Sequence, residues 1–206
     1  GNTWHKTCTL RLRDGTTTHS GPVKCRALSG APFQSQVVSA VEEVQKEDSV
    51  ASLSKSIEVN VPVRTTYNQW TQFESFPHFM EGVKSVQQMD NKRLHWVAEV
   101  AGKEKQWDAV ITDQTPDQKI AWKSTSGAQN DGIVTFQPLG ADKTRVNLQL
   151  DYDPEGVIEE TGDKLGFVSR RIEGDLERFK KFIEARGAET GAWRGEIHGG
   201  QVQSRG

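Results

Sequence analysis

The chain has 206 residues, of which 26 are basic and 28 acidic, and its formal net charge is -2 at pH 7. This balance excludes the strongly basic composition of a protein that binds nucleic acid mainly by charge. The mean hydropathy is -0.66, and no apolar run approaches the about 18 residues of a helical membrane span. We therefore expect a globular cytoplasmic protein that makes at most peripheral contact with a membrane.

The sequence contains two cysteines, Cys8 and Cys25, which lie far from any cluster of histidines. Their spacing is not typical of zinc ligands, so we expect no metal site. Two interpretations of the pair stay open, two free thiols in an intracellular protein or a single disulfide. The chain also contains no P-loop, no dinucleotide-binding glycine motif and no nucleophile elbow, and we expect no cofactor.

Residues 1–51 differ from the rest of the chain and are interpreted as an N-terminal extension. Up to Ser29 the segment is rich in Thr, Ser and basic residues, has Asp14 as its only acid, and lacks the apolar region of a secretory signal. Such polar segments bury too little surface to order themselves, which favours a flexible extension. The alternative is an organellar transit peptide, which would place the protein in a stroma or matrix. A short amphipathic helix is compatible with Val37, Val38, Val41 and Val44.

Residues 52–187 are interpreted as one compact domain, which starts with a strand and two short helices. In SKSIEVNVPV apolar residues alternate with polar ones, which is the period of a half-buried strand. Pro62 then opens a helix, as proline does in a first turn. Pro77 interrupts the aromatic segment FESFPHFM, so we expect the second helix to follow this proline and to end at Gly82.

Six antiparallel strands are predicted after the short helices, separated by turn sequences at residues 90–92 and 115–118. Each strand alternates apolar and polar side chains, so the sheet has one apolar face and one polar face. Trp96, Trp107 and Trp122 fall on the apolar face. A single sheet of this kind needs a cover for that face.

The predicted cover is an amphipathic helix of about seven turns that ends at Gly187. Its apolar side chains recur every three or four positions: Leu165, Val168, Ile172, Leu176, Phe179 and Ile183. The basic doublets at 170–171 and 180–181 are interpreted as part of a solvated face, with weak contact to a membrane or partner as the alternative. Residues 188–206 are interpreted as a polar, Gly-rich tail, in which Trp193 and Ile197 are the side chains able to dock back onto the domain.

This order of elements, with ESFPHFMEGVKSV, KQWDAVITDQTPDQKIAWKSTSG, DGIVTFQPLG and GDLERFKKFIEARG in place, resembles the polyketide cyclase/dehydrase family. That family belongs to the START-like (SRPBCC, helix-grip, Bet v 1-like) superfamily, and the similarity covers residues 53–187. The resemblance implies an α+β helix-grip fold, in which a curved antiparallel sheet of about seven strands wraps around a long C-terminal helix. It also implies a cavity between sheet and helix, which in relatives holds lipids, quinones, sterols, polyketides or plant hormones. Few members of this branch are known enzymes, so function must be argued from the site.

The predicted site is the wall of that cavity, where aromatic side chains offer apolar area and indole N–H groups. For each tryptophan, a place in the plain core stays open as the alternative. Phe76, Phe79 and Met80 lie where relatives have an entrance, and the alternative is that they close the end of the sheet. The predicted ligand-binding residues are Phe76, Phe79, Met80, Trp96, Trp107, Trp122, Phe136, Leu148, Leu165, Val168 and Ile172.

His78 is a candidate general acid or base, because it lies near the predicted mouth and an imidazole suits proton transfer near neutral pH. The alternative is an exposed surface histidine. Three hypotheses for function follow: a carrier or chaperone of a hydrophobic small molecule such as a lipid, quinone or polyketide, a polyketide cyclase or dehydrase, and an interaction module with a filled core. We expect a small-molecule partner and no nucleic acid, and the oligomeric state stays open.

Overall fold

The structure is a computed structural model that describes residues 50–153 and 163–203. The predicted N-terminal extension up to residue 49, with Cys8 and Cys25, lies outside the described residues, and so does the side chain of Leu165. Within the described residues, no helix combines the length and the hydrophobicity that a bilayer span requires.

A strand and two short helices precede six strands, a long helix and a small hairpin. The two helices after the first strand are α1, Val63–Trp70, and a 3-10 helix, Phe73–His78. The long helix is α2, Lys164–Arg186. The strands are β1 Ala51–Val59, β2 Val83–Gln88, β3 Arg93–Val100, β4 Lys103–Thr115, β5 Lys119–Gly127, β6 Asn130–Gly140, β7 Lys143–Tyr152, β8 Glu196–His198 and β9 Gln201–Gln203.

The main strands follow the order β1-β7-β6-β5-β4-β3-β2 in one curved antiparallel sheet. Strand β1 pairs with β7, so the first strand of the domain lies beside the last main one, with Ile57 opposite Val146. The apolar side chains of each strand alternate towards the core, where Val134 and Val146 are fully buried. The predicted α+β class and the curved antiparallel sheet are confirmed.

The strand count differs from the prediction, because the described part of the sheet has nine strands where the sequence predicts about seven. The two additional strands lie beyond α2, so this helix is not the last element of the fold. Strand β8 joins β4 through Ile197 opposite Gln114, and β9 pairs with β8. The cause is burial: Ile197 is fully buried, and Lys92 Nζ donates a hydrogen bond to the Gly200 carbonyl at 2.7 Å.

The second short helix was expected after Pro77, but Pro77 lies inside the 3-10 helix instead. A 3-10 helix of six residues needs few internal hydrogen bonds, so the missing N–H of proline costs little there, and its fixed φ suits the turn. Phe76 leaves this helix pointing inwards and is buried. Phe76 therefore reaches the core from inside the 3-10 helix, and not from a loop that precedes a helix beginning after Pro77.

Helix α2 is capped at both ends. The Asp163 side chain accepts a hydrogen bond from the Gly166 N–H at 3.0 Å. Gly187 adopts a φ of 65° directly after the helix, and its N–H donates to the Ile183 carbonyl at 2.9 Å. Trp70 of α1 meets Phe179 of α2 edge-on, with ring centroids 4.8 Å apart. This contact closes one end of the core and fixes α1 against α2.

Candidate ligand cavity

A cavity of about 170 Å³ lies between the concave face of the sheet, helix α2 and the 3-10 helix. The sheet contributes an apolar wall from strands β3, β4, β5 and β7, whose main residues are Leu94, Trp96, Trp107, Trp122, Leu148 and Leu150. The helical side is also apolar and includes Phe76, Phe79, Met80, Val168, Ile172 and Leu176. The interior is therefore suited to an apolar group.

The aromatic wall is built by strand register. Trp96 and Trp107 are opposite each other in the β3–β4 pair, and their rings stack with centroids 5.5 Å apart. Trp122 lies across from Gly132 of β6, and a Cβ on that glycine would collide with the indole ring. The Trp122 Nε1 group donates to Asn130 Oδ1 at 3.3 Å, which holds the ring in place. A missing side chain on β6 therefore makes room for the third tryptophan.

At the 3-10 helix the wall is closed by aromatic contacts. Phe76 packs against Trp96 at 5.6 Å and against Phe79 at 5.2 Å between ring centroids. Phe79 in turn contacts Phe179 of α2 at 5.2 Å. Both Phe76 and Phe79 are only 2% exposed, so they close the end of the sheet as well as line the cavity. Their position is thus compatible with both interpretations of this segment, as part of the cavity wall and as the closure of the end of the sheet.

The structure brings most of the predicted wall together. Phe136 is the exception, because it lies in the core beside Tyr67 and Trp70, at 5.5 and 6.0 Å between ring centroids. The side chain of Leu165 lies outside the described residues. Ligand binding at the predicted positions stays a prediction. The predicted residues that line the cavity are Phe76, Phe79, Met80, Trp96, Trp107, Trp122, Leu148, Val168 and Ile172.

His78 lies away from this lining. It is exposed and stacks on the ring of Phe182, with centroids 6.1 Å apart and planes 6° apart. The geometry supports the interpretation as a surface histidine. A role of His78 as a general acid or base gains no support from its position.

Two polar residues of α2 line the cavity, Arg171 and Asp175. Arg171 belongs to a basic doublet that the sequence interpretation assigned to a solvated face, and Asp175 was not among the predicted site residues. Asp175 accepts hydrogen bonds from the Glu81 N–H at 2.8 Å and from the Arg178 guanidinium. Burial raises the pKa of the Asp175 carboxyl in spite of these bonds. A signal for this position was present in the sequence, because Asp175 follows Ile172 by three residues and so borders the apolar stripe.

Two buried polar atoms among the lining residues have no hydrogen-bond partner in the described part of the chain. These are Trp96 Nε1 and the hydroxyl of Tyr152. Burial raises the pKa of the Tyr152 hydroxyl further above its ordinary value, at which it is already neutral near pH 7. Each unpaired buried group costs about 1–3 kcal/mol, and native structures usually pair such groups with protein, water or ligand. They are the polar groups that the apolar wall leaves unsatisfied.

Two similarities in sequence cover most of the domain. The profile of the family described as polyketide cyclase / dehydrase and lipid transport matches residues 59–181. A relative from Streptomyces lincolnensis, an uncharacterized 17.2 kDa protein of the melC2-rnhH intergenic region, is 54% identical over 149 residues. The aligned part is 72% of this chain and 99% of the relative.

Solved structures share the fold. A protein from Deinococcus radiodurans is 28% identical with a TM-score of 0.53, over 66% of this chain and 99% of that chain. The Zhui aromatase/cyclase from Streptomyces sp. R1128 has a TM-score of 0.55 at 15% identity, over 70% of this chain and 99% of its own. A START superfamily protein from Mycobacterium smegmatis has a TM-score of 0.52 at 21% identity, over 66% and 95% of the two chains. By its sequence profile, this chain belongs to the polyketide cyclase / dehydrase and lipid transport family.

Proposed function

We propose that this protein binds a hydrophobic small molecule in the cavity between the sheet and α2 and shelters it from water. The observation that carries the proposal is an apolar cavity of about 170 Å³ inside an otherwise closely packed core. In an engineered protein, an apolar cavity of about 150 Å³ stays dry and binds benzene. The cavity described here therefore has room for about one aromatic ring. An unfilled core also argues against an interaction module whose interior is occupied by its own side chains.

Burial alone gives such a ligand modest affinity. A group of the size of an aromatic side chain has about 150–250 Å² of surface. At about 25 cal/mol per Å², full burial contributes about 4–6 kcal/mol. Before the cost of lost translational and rotational freedom, this free energy corresponds to a dissociation constant of about 0.04–1 mM, which is an upper bound on the affinity from burial. Tighter binding requires polar contacts, and the unpaired Trp96 Nε1 and Tyr152 hydroxyl are available to supply them.

The size of the cavity favours a small ligand over a multi-ring polyketide. Pockets for drug-sized ligands measure about 300–1,000 Å³, which exceeds the volume enclosed here. A larger ligand would extend from the cavity past Met80 and Glu81, which lie on its rim. The chemistry of binding is then the same, with the apolar part inside and the remainder at the mouth.

Native mass spectrometry of freshly purified protein, combined with calorimetric titration of ethylbenzene, tests the proposal. We expect either a co-purified apolar molecule or saturable binding of ethylbenzene with a stoichiometry of one. A protein that carries no ligand and binds no small hydrocarbon would overturn the proposal and leave the filled-core interaction module as the better hypothesis.

A second candidate function, cyclisation or dehydration of a bound polyketide, is favoured by Asp175. Its partly buried carboxyl lines the cavity, and a raised pKa suits a general acid or base. The fold resemblance to an aromatase/cyclase is compatible with this candidate. The test is turnover of a reactive poly-β-ketone by Asp175→Asn. Loss of turnover with unchanged binding would favour the enzyme, whereas equal product formation with and without protein would remove it.

A further inference from the structure

A polar depression adjoins the mouth of the cavity. We call it the vestibule, and it is lined by residues 81–84, 99, 101–102, 167 and 171. It shares Glu81, Val83, Phe167 and Arg171 with the cavity. A molecule that fills the apolar cavity would therefore place its outer end among the charged side chains of the vestibule.

Arg171 stands at the junction of the two spaces. Its Nη2 group donates hydrogen bonds to two backbone carbonyls, those of Glu81 and Glu99, the second at 2.9 Å. The guanidinium thereby bridges α2 to the start of β2 and the end of β3. Both partners are neutral, and the Nε and Nη1 donors take no part in these two bonds. A planar guanidinium edge of this kind matches the two oxygens of a carboxylate.

The position of Arg171 depends on Gly82. This glycine adopts a φ of 71°, and a Cβ on it would collide with Arg171 Nη2 and with the Glu99 carbonyl oxygen. The Glu99 N–H also donates to the Gly82 carbonyl at 2.7 Å, which draws the two backbones together below the guanidinium. The absence of a side chain at Gly82 therefore leaves the space that the Arg171 guanidinium occupies.

Neighbouring cations are engaged differently. Arg178 contacts the carboxylates of Asp175 and Glu81, and Lys84 contacts those of Glu99 and Glu104. These four carboxylates are thus held by Arg178 and Lys84, whereas the two hydrogen bonds that anchor Arg171 use carbonyl oxygens. The bonds from Arg171 to these carbonyls are charge-assisted through the guanidinium alone, whereas a carboxylate acceptor adds direct attraction between two opposite charges. A carboxylate that reaches the vestibule would therefore compete well for the Arg171 guanidinium.

We infer that the ligand is a small carboxylic acid, with an apolar group of about one ring in the cavity and its carboxylate on Arg171 in the vestibule. The inference rests on the proposed function, because it assumes that the cavity binds a ligand. It adds the chemical class of the polar end and the residue that recognises it. An ion pair with Arg171 would also add affinity and selectivity for carboxylic acids that burial of the apolar group does not provide.

The test compares three probes of one shape: 4-ethylbenzoate, 4-ethylbenzamide and ethylbenzene, titrated by calorimetry at about pH 7. For the wild type we expect the acid to bind about tenfold more tightly than the amide, a typical gain for one charge-assisted contact. Arg171→Gln should remove this preference, so that the acid and the amide bind with equal affinity. Arg170→Gln is the matched control, because Arg170 is the preceding residue, is exposed and contacts Asp163.

A second measurement needs no variant and covers the case in which Arg171→Gln does not fold. Added salt should weaken binding of the acid to the wild type and leave binding of the amide unchanged, because only the acid itself carries a charge. Three results would overturn the inference: equal affinities for acid and amide, an acid preference that does not depend on salt, or an equal loss of this preference in Arg170→Gln. In each case, binding of ethylbenzene would still support the cavity as a binding site. If none of the three probes binds and the purified protein carries no apolar molecule, the proposed function falls, and the inference falls with it.

Discussion

Trp96 on β3 and Trp107 on β4 lie directly opposite each other in the sheet, and their indole rings stack with planes only 9° apart. Aromatic pairs of this kind contribute about 0.5–1.5 kcal/mol beyond the burial of their area. Both rings also line the cavity, so the stack forms part of its wall.

The cavity should accommodate a larger side chain that is introduced on its wall. Ala98 of β3 lines the cavity and is 2% exposed. We expect Ala98→Phe to change the free energy of unfolding by less than about 1 kcal/mol, below the about 1–3 kcal/mol of an overpacked core. Because the new ring occupies the cavity, binding of ethylbenzene should be lost. Urea denaturation and calorimetry measure the two effects.

Ala109 of β4 provides the control, because it is equally buried but does not line the cavity. Ala109→Phe has no space to enter and should destabilise the protein by about 1–3 kcal/mol. Equal destabilisation by the two substitutions, or undiminished ligand binding by Ala98→Phe, would contradict the placement of the cavity.

Two buried tyrosines should respond in opposite ways to removal of their hydroxyl groups. The Tyr152 hydroxyl has no hydrogen-bond partner in the described residues, so Tyr152→Phe removes an unsatisfied polar group. We expect it to raise the free energy of unfolding of the ligand-free protein by up to about 1 kcal/mol. The Tyr67 hydroxyl accepts a hydrogen bond from Gln114 Nε2 at 2.9 Å. Tyr67→Phe should therefore lower the free energy of unfolding by about 1–2 kcal/mol.

Denaturant titration of both variants without ligand decides this prediction. The comparison is internal, since both residues are tyrosines that are at most 2% exposed. A loss of stability in Tyr152→Phe as large as that in Tyr67→Phe would mean that the Tyr152 hydroxyl is paired in solution.

Two carboxyl groups should give pH dependences of opposite sign. Burial raises the pKa of Asp175, so the folded protein keeps this proton to a higher pH than the unfolded chain does. The contribution of Asp175 to stability is therefore largest in acid and falls as the pH rises through the interval between the two pKa values. For Glu58, hydrogen bonds from Lys143 and Arg145 lower the pKa from 4.5 to about 2. Its contribution is present above pH 4.5 and is lost as the pH falls towards 2.

The measurement is the difference in free energy of unfolding between the wild type and each of Asp175→Asn and Glu58→Gln across the acid range. As the pH rises, Asp175→Asn should gain stability relative to the wild type. Over the same range, Glu58→Gln should lose stability relative to the wild type. Slopes of the same sign in both series would show that one of the two environments is wrongly described.

The segment after α2 should belong to the cooperative unit, because Arg194 ties it to α1 and to the β4–β5 turn. Its guanidinium donates to both carboxylate oxygens of Asp117, at 2.9 and 2.7 Å, and to Asn68 Oδ1 at 2.8 Å. It also lies over the ring of Tyr67 at 5.7 Å. We expect Arg194→Ala to lower the free energy of unfolding by about 1–3 kcal/mol, the usual range for hydrogen bonds to charged groups.

Arg194→Lys keeps the charge but not the bidentate hydrogen bonding to Asp117, so its free energy of unfolding should lie between those of Arg194→Ala and the wild type. Denaturation followed by tryptophan fluorescence measures both variants. Wild-type stability in Arg194→Ala would mean that residues 188–203 do not contribute to the folded core.

Several features were within reach of the sequence because they depend on neighbours along the chain. The alternation in β7 and the three-to-four spacing from Val168 to Ile183 follow directly from the periods of strands and helices. The same periods placed Trp96, Trp107 and Trp122 on one face, and all three line the cavity. The motifs of the aromatic segment and of the helix also sufficed to indicate the family, since they occur in a fixed order.

Other features depended on contacts between distant residues. Phe136 shares the apolar face with the tryptophans, yet the approach of Tyr67 from α1 places it in the core and away from the cavity. Arg171 and Asp175 reach the mouth only because the β2–β3 region closes over α2 there. The hairpin of β8 and β9 has too short a pattern to predict, and its pairing with β4 is set by burial of Ile197.

The sequence by itself thus determined which of the longer elements form, which face of each is apolar and to which family the chain belongs, because local periodicity and ordered motifs carry that information. Only the tertiary structure decided where a cavity remains and which polar groups border it. A void is the small difference between the space that the curved sheet encloses and the volume that side chains from separate elements fill. That difference is set by the distances and angles between sheet and helix, which no single segment of the chain specifies.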